Sequence, residues 1–156
     1  PKGGEQDIQA VSGYPGLFPL GRLDKDSEGL ILLTNDGRVT ERLLHPRFEH
    51  EKEYIVSVAE KVTGRHRDLL LRGIESEGEK LRAKKVDILD PMTLSVVLTE
   101  GKKHQVRRML EGVELSVTRL VRVRIMNIHL GKLASGQARE LQGPARRSFL
   151  RDLELK

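Results

Sequence analysis

Apolar and polar positions along the chain change period often enough to mark out short elements. Residues 30–35 read LILLTN, apolar at successive positions, which predicts a central strand covered on both faces. Ahead of it, LFPLGRLD predicts a short strand or edge segment broken by Pro19. Asp36 stands where a helix N-cap belongs. Val39 and Leu43 then fall on one inner face, and His45-Pro46 stops the helix. KEYIVSV, residues 52–58, alternates as a strand does, and TGRHRDLLLRG predicts a helix capped by Thr63 and closed by Gly73. Residues 80–89 and 94–100 predict two strands joined as a hairpin across Asp90-Pro91. KKHQVRRMLEG, residues 102–112, places Val106, Met109 and Leu110 on the inner stripe of a helix. Residues 118–130 read as one long strand, with Val121, Val123 and Ile125 on one face and Arg122 and Arg124 on the other. PARRSFLRDLELK predicts a C-terminal helix with Pro144 in its first turn. Strands and helices mix without a βαβ rhythm, so the expected class is α+β with a mostly antiparallel sheet.

Composition narrows the functional classes. A chain of 156 residues suits one domain, or two small subdomains sharing a sheet. It has no cysteine, which excludes disulfides, cysteine-zinc sites and thiol chemistry. No apolar run approaches the roughly 18 residues that span a bilayer, and nothing at its start reads as a targeting segment. A cytoplasmic location with no membrane partner is expected. Lys plus Arg number 28 against 23 Asp plus Glu, a net charge of +5, which favours a polyanionic partner over a merely soluble surface. Aromatics are only 3%, too few for a broad base-stacking platform, so a single placed tyrosine gains weight.

Several motifs fail on inspection. DKDSEG, residues 24–29, has the carboxylate spacing of a calcium loop, but Asn35 stands where the bidentate glutamate is needed and the flanks read as strands. GIESEGEK lacks the Lys-Ser/Thr ending of a phosphate loop. The histidines at 45, 50, 66, 104 and 129 have no metal-ligand spacing, and His50 and His66 read as solvent-facing. No metal site is expected.

Three blocks remain, in order: GRLDKDSEGLILLTNDG, KEYIV and EGKKHQVRRML. Their combination resembles the bacterial ribosomal RNA pseudouridine synthases that act on single uridines in small- or large-subunit rRNA. The resemblance runs from about Leu17 to Leu141, and the pattern G-R-L-D-x-x-S-x-G-L-x-L-L-T-N-D-G is its most specific part. It implies a mixed, mostly antiparallel sheet in two subdomains, with flanking helices and an RNA-binding cleft. It implies isomerisation of uridine to pseudouridine in ribosomal RNA, without a cofactor. By position, Asp24 matches the family's essential aspartate, Tyr54 the tyrosine against the target base, and Arg107 the basic partner of the aspartate. Arg22 would touch RNA beside the flipped nucleotide. Family members carry a Lys-Pro-x-Gly strand before the first block and often an S4-like RNA-binding domain. The expectation is a single catalytic domain over residues 1–156, lacking that strand and without the S4-like domain. A monomer acting on free rRNA or a pre-ribosomal particle is expected. Neither the particular rRNA nor the particular uridine is legible.

The chemistry suits these residue types. The N-glycosidic bond breaks, the uracil turns, and C5 bonds to C1′ of the same ribose, so no redox change occurs. One ionised carboxylate must act at the sugar as nucleophile or base. Burial would raise its pKa, and a paired guanidinium offsets that. Stacking on a tyrosine returns part of the cost of flipping the base. Taken singly, Tyr54 reads as a core residue, Arg107 as a solvated helix position and Asp24 equally as a turn; the shared order of the three blocks argues otherwise. Lys102, Lys103, His104, Arg108, Arg122 and Arg124 are candidates for phosphate contacts, while Arg119, Arg146, Arg147 and Arg151 belong to the same field or are solvated. Two rivals stand beside the enzyme: a non-catalytic RNA-binding module, and a calcium-binding domain.

Overall fold

In a computed structural model, residues 18–20, 23, 27–45, 50–133 and 137–155 are described, with Phe18 and Leu20 described in backbone only. Ten strands and four helices are assigned among them. The central sheet runs in the order β10 (Ile128–His129), β9 (Val117–Ile125), β4 (Lys52–Val58), β8 (Thr93–Leu98), β7 (Lys85–Asp90). All of these neighbours pair antiparallel. β2 (Glu28–Gly29) adds the one parallel pairing, against Val121 and Arg122 of β9. Two small ribbons stand apart: β1 (Phe18–Leu20) with β3 (Leu32–Thr34), and β5 (Ile74–Ser76) with β6 (Glu79–Leu81). The class is α+β with a mostly antiparallel sheet, as the mixed pattern predicts.

Local chemistry explains the helices. In α1 (Gly37–Leu44), the Asp36 carboxylate accepts from the Arg38 backbone N–H at 2.9 Å, and Val39 and Leu43 face the core. α2 (Gly64–Arg72) starts at Thr63, whose N–H donates to His66 Nδ1 at 3.0 Å, and ends at Gly73 with φ +117°. His66 is therefore a capping residue rather than a loose surface histidine, and His50 is half-buried with its pKa lowered chiefly by that burial. α3 (Gln105–Gly112) buries Val106, Met109 and Leu110. α4 (Gly143–Asp152) carries Pro144 in its first turn and buries Phe149.

Two apolar clusters hold these elements. The larger packs α2 and α3 on one face of the sheet, around Val56, Leu70, Leu94, Val96, Met109 and Leu110. The smaller joins α1, α4 and the far end of the sheet through Leu30, Val39, Leu43, Ile125, Phe149 and Leu153. Two cores along one sheet agree with two subdomains.

Three expectations are corrected. Residues 30–35 do not form a central strand: only Leu32–Thr34 is extended, it pairs with β1 alone, and of the apolar run only Leu30 is buried. A contiguous apolar run fixes neither the depth of burial nor the sheet in which it occurs. The stretch 80–89 divides between β6 and β7, because residues 74–81 form their own hairpin over a Glu77-Gly78 turn in which both residues have positive φ. The long strand ends at Ile125 and turns at Met126-Asn127 into β10.

β2 depends on a missing side chain. Gly29 has φ +119°, and a Cβ there would lie 2.2 Å from the Arg122 carbonyl oxygen and 2.6 Å from its nitrogen. Gly29→Ala is therefore expected to part β2 from β9 and cost about 2 kcal/mol or more in a denaturant melt. Gly37→Ala, where added bulk meets nothing within 4 Å, should melt close to wild type.

Candidate active site

A recess of about 230 Å³ opens between the two clusters. By volume this is on the order of eight waters, enough for one planar ring with its near substituents. Its floor is apolar: Leu43, Leu98, Val106, Leu120 and Ile125. Its polar lining comes from Lys52 and Tyr54 on β4, Arg122 on β9, Gln105 on α3 and the Lys102–His104 turn before that helix. Leu23 and Ser27, the described residues on either side of residues 24–26, also line it.

The register of β4 against β9 decides which arginine faces the recess. Lys52 pairs with Ile125, Glu53 with Arg124, and Tyr54 with Arg122, so one β9 residue, Val123, is extra. This bulge breaks the alternation. Arg122 therefore joins Lys52 and Tyr54 on the recess face, and Arg124 goes to the other. The expectation that Arg122 and Arg124 share a face is corrected for that reason.

Arg122 is 5% exposed. It donates from Nε and Nη2 to the Leu30 carbonyl at 2.9 and 2.7 Å, while the Leu30 N–H donates to the Arg122 carbonyl at 2.8 Å. Arg122 thus brings a positive charge to the recess and clamps the chain just after the acidic segment. Lys52 shares that wall, and its pKa is lowered by burial and, secondarily, by the Arg122 charge.

Gln105, 3% exposed, shapes the basic turn. Its Oε1 accepts from the Lys102 N–H at 3.1 Å, and its Nε2 donates to Glu100 at 2.9 Å. His104 takes a left-handed conformation, φ +54°, at the entry to α3. The Lys102 ammonium, though at the recess, is also held by the Lys80 carbonyl at 3.1 Å and by Glu100 at 3.5 Å.

Three of the arginines read as phosphate-facing or solvated are committed elsewhere. Arg108 donates to Ser76 Oγ, the Ser76 and Lys103 carbonyls and Glu79, fastening α3 to the β5–β6 ribbon. Arg124 donates to Glu53 at 2.9 Å, Glu51 at 3.0 Å and the Met126 carbonyl at 2.8 Å. Neither lines the recess, and both guanidinium groups are spent on protein acceptors. Arg119 grips both oxygens of Glu28 at 3.1 Å, and the same contact occupies the carboxylate that a calcium loop would use at its fifth position. Arg146, Arg147 and Arg151 are exposed.

Arg107 is half-buried on α3, next to Val106 of the recess floor. Asp24 and Arg22 lie outside the described residues. Among the described residues, no group of three or more His, Asp or Glu is placed to hold a metal, and no helix is long and apolar enough to cross a membrane. Lys52, Ser27 and Gln105 were not singled out by the sequence. For Lys52 a signal was available, because it precedes Tyr54 by two on a strand and so shares its face.

Comparison with known proteins gives the site its context. A family model described as RNA pseudouridylate synthase matches residues 4–112. The dual-specificity RNA pseudouridine synthase RluF of Salmonella typhi is 38% identical over 140 residues, covering 88% of this chain and 48% of the relative. The ribosomal small subunit pseudouridine synthase A of Pasteurella multocida is 37% identical over 128 residues, covering 80% of this chain and 55% of the relative. A crystal structure of a pseudouridylate synthase superposes with a TM-score of 0.83 at 32% identity, covering 94% of this chain and 64% of that one. The chain spans about half the length of the curated relatives it matches.

The ion-pair network opposite the recess yields a test. Hydrogen bonds from Lys84 and then Arg124 lower the Glu51 pKa. Burial opposes ionisation of Glu53, but hydrogen bonds from Arg124 and Ser95 prevail and lower it too. Both values lie below the ordinary glutamate value of about 4.3. The network's contribution is therefore full above that pH and is lost as pH falls through the folded values. Arg124→Met is expected to cost about 2 kcal/mol at pH 7 in a urea melt, with the gap from wild type closing as pH falls below the ordinary glutamate value and through the lowered ones. The salt dependence of RNA binding should stay at its wild-type slope.

Proposed function

The chain belongs to the RNA pseudouridylate synthase family, and on that premise we propose that it isomerises uridine to pseudouridine in ribosomal RNA as a cofactor-free monomer. The observation that carries this reading is the convergence of Tyr54, Arg122 and the Lys102–His104 turn on one recess bordered by Leu23 and Ser27. A base turned out of its stack meets an aromatic ring over an apolar floor, and the RNA backbone meets positive charge. Stacking on Tyr54 returns about 1–3 kcal/mol of the flipping cost.

In this reading Asp24 supplies the carboxylate that acts at the ribose, as nucleophile or base. The N1–C1′ bond breaks, the freed uracil turns over the Tyr54 ring, and C5 bonds to C1′. The proton lost from C5 is balanced by one gained at N1, so the product is an isomer and needs no external reactant. Arg107 pairs with the Asp24 carboxylate, keeping it ionised in a partly dry pocket. Lys103 and His104, at the recess mouth, meet phosphate oxygens, and Arg22 sits beside the flipped nucleotide. The surrounding charge draws the RNA in, which makes binding salt-dependent.

Pseudouridine mapping of rRNA from cells with and without the gene tests the activity; one site lost on deletion and restored by the wild-type gene is the expected result. Asp24→Asn should fail to restore it while the purified variant still binds RNA. Tyr54→Ala should lower kcat/KM on an rRNA transcript about tenfold or more, the equivalent of its stacking energy. Arg107→Met with full turnover would contradict the assignment of its partner. Deletion that leaves every pseudouridine in place would point to a non-catalytic RNA-binding module instead.

A further inference from the structure

We propose that Lys52 is the residue that grips the RNA backbone inside the recess, its ammonium taking a phosphodiester oxygen next to the nucleotide stacked on Tyr54. The inference rests on the uridine reading and adds to it a binding residue that the motif blocks leave without a role.

Lys52 opens β4 two residues before Tyr54, so both side chains leave the same face of the sheet. The bulge at Val123 turns Arg122 onto that face, and all three line the recess. A Cβ on Gly101 would lie 3.8 Å from the Lys52 Nζ. The ammonium therefore sits beside a residue without a side chain.

Other lysines of the sheet and of the recess have carboxylate partners. Lys84 pairs with Glu51, Lys85 with Asp87 at 3.5 Å, and Lys102 with Glu100 at 3.5 Å. Among the described residues no carboxylate or carbonyl takes the Lys52 ammonium. Its charged neighbour is another cation, the buried Arg122, and burial together with that charge makes its protonated form less favourable than usual. Holding two cations together in a half-dry recess is costly unless an anion joins them. A phosphodiester supplies a full negative charge and two acceptor oxygens at every nucleotide. A uracil carbonyl supplies only a partial charge, which a single donor would satisfy. The pair of cations thus favours phosphate over base, and favours a contact already present in the bound ground state.

The test uses the whole chain and a labelled stem-loop RNA with uridines in its loop, titrated across a range of KCl concentrations. Lys52→Met should weaken binding about tenfold at moderate salt. The plot of log K against log salt should be shallower by about 0.7, the loss of one single-strand contact, and Lys52→Arg should keep most of the slope. With rRNA transcripts, KM should rise while kcat changes little. Lys52→Gln, which keeps a polar end in the recess, must show the same shallower slope, so the result holds even if the methionine variant folds poorly. An unchanged slope in a folded variant, or a loss confined to kcat with an altered pH profile, would overturn the proposal, the latter indicating that Lys52 serves a carboxylate of the chain itself. A wild type that forms pseudouridine but shows no slope change in the variants would end the role of Lys52 alone. A wild type that does not bind RNA would end the uridine reading with it.

Discussion

The contact between Gly29 and Arg122 is the constraint on which the rest of this molecule depends. Backbone approaches backbone there at a distance that no side chain permits, and the parallel β2–β9 pairing follows. The Arg122 guanidinium then reaches over to the Leu30 carbonyl, so the same residue clasps the incoming chain by main chain and side chain together. This clasp ties the smaller core to the larger sheet. It also holds β2 directly after Ser27, which lines the recess together with Leu23.

A second constraint separates two kinds of electrostatics on one sheet. On the face opposite the recess, Arg124, Glu53, Glu51, Lys84 and Ser95 satisfy one another across three strands. That network is closed, so its charges serve stability. On the recess face, among the described residues, Lys52 and Arg122 bring two positive charges together. A single extra residue, Val123, produces the difference by reversing the alternation between Arg122 and Arg124. Two positions apart in the sequence, Arg124 completes a closed network, while Arg122 clasps the Leu30 carbonyl and adds positive charge beside Lys52.

The turn before α3 shows how a basic motif can be divided by function. Gln105 is buried and holds the backbone of Lys102, so the turn keeps its shape. Arg108, on the same short helix, is consumed by the β5–β6 ribbon. Of the basic residues in KKHQVRRM, the turn residues border the recess, and Arg108 serves as a fastener.

Much was legible in the sequence. The caps at Asp36, Thr63 and Gly73, the strand at residues 52–58, the β7–β8 hairpin and the inner stripes of the helices follow from local periodicity and capping chemistry, which act over four or five residues. The family followed from the order of three motif blocks. The basic excess pointed to a polyanion, because net charge is a property of composition. The sequence did not determine which basic residues remain available, since that depends on acceptors distant in the chain: Glu28 for Arg119, Ser76 and Glu79 for Arg108, Glu51 and Glu53 for Arg124. Nor did it determine the sheet to which the LILL run belongs, or the bulge that turns Arg122 inward. Strand pairing is a contest among non-local partners, and a one-residue slip in register moves a side chain from one face of the sheet to the other.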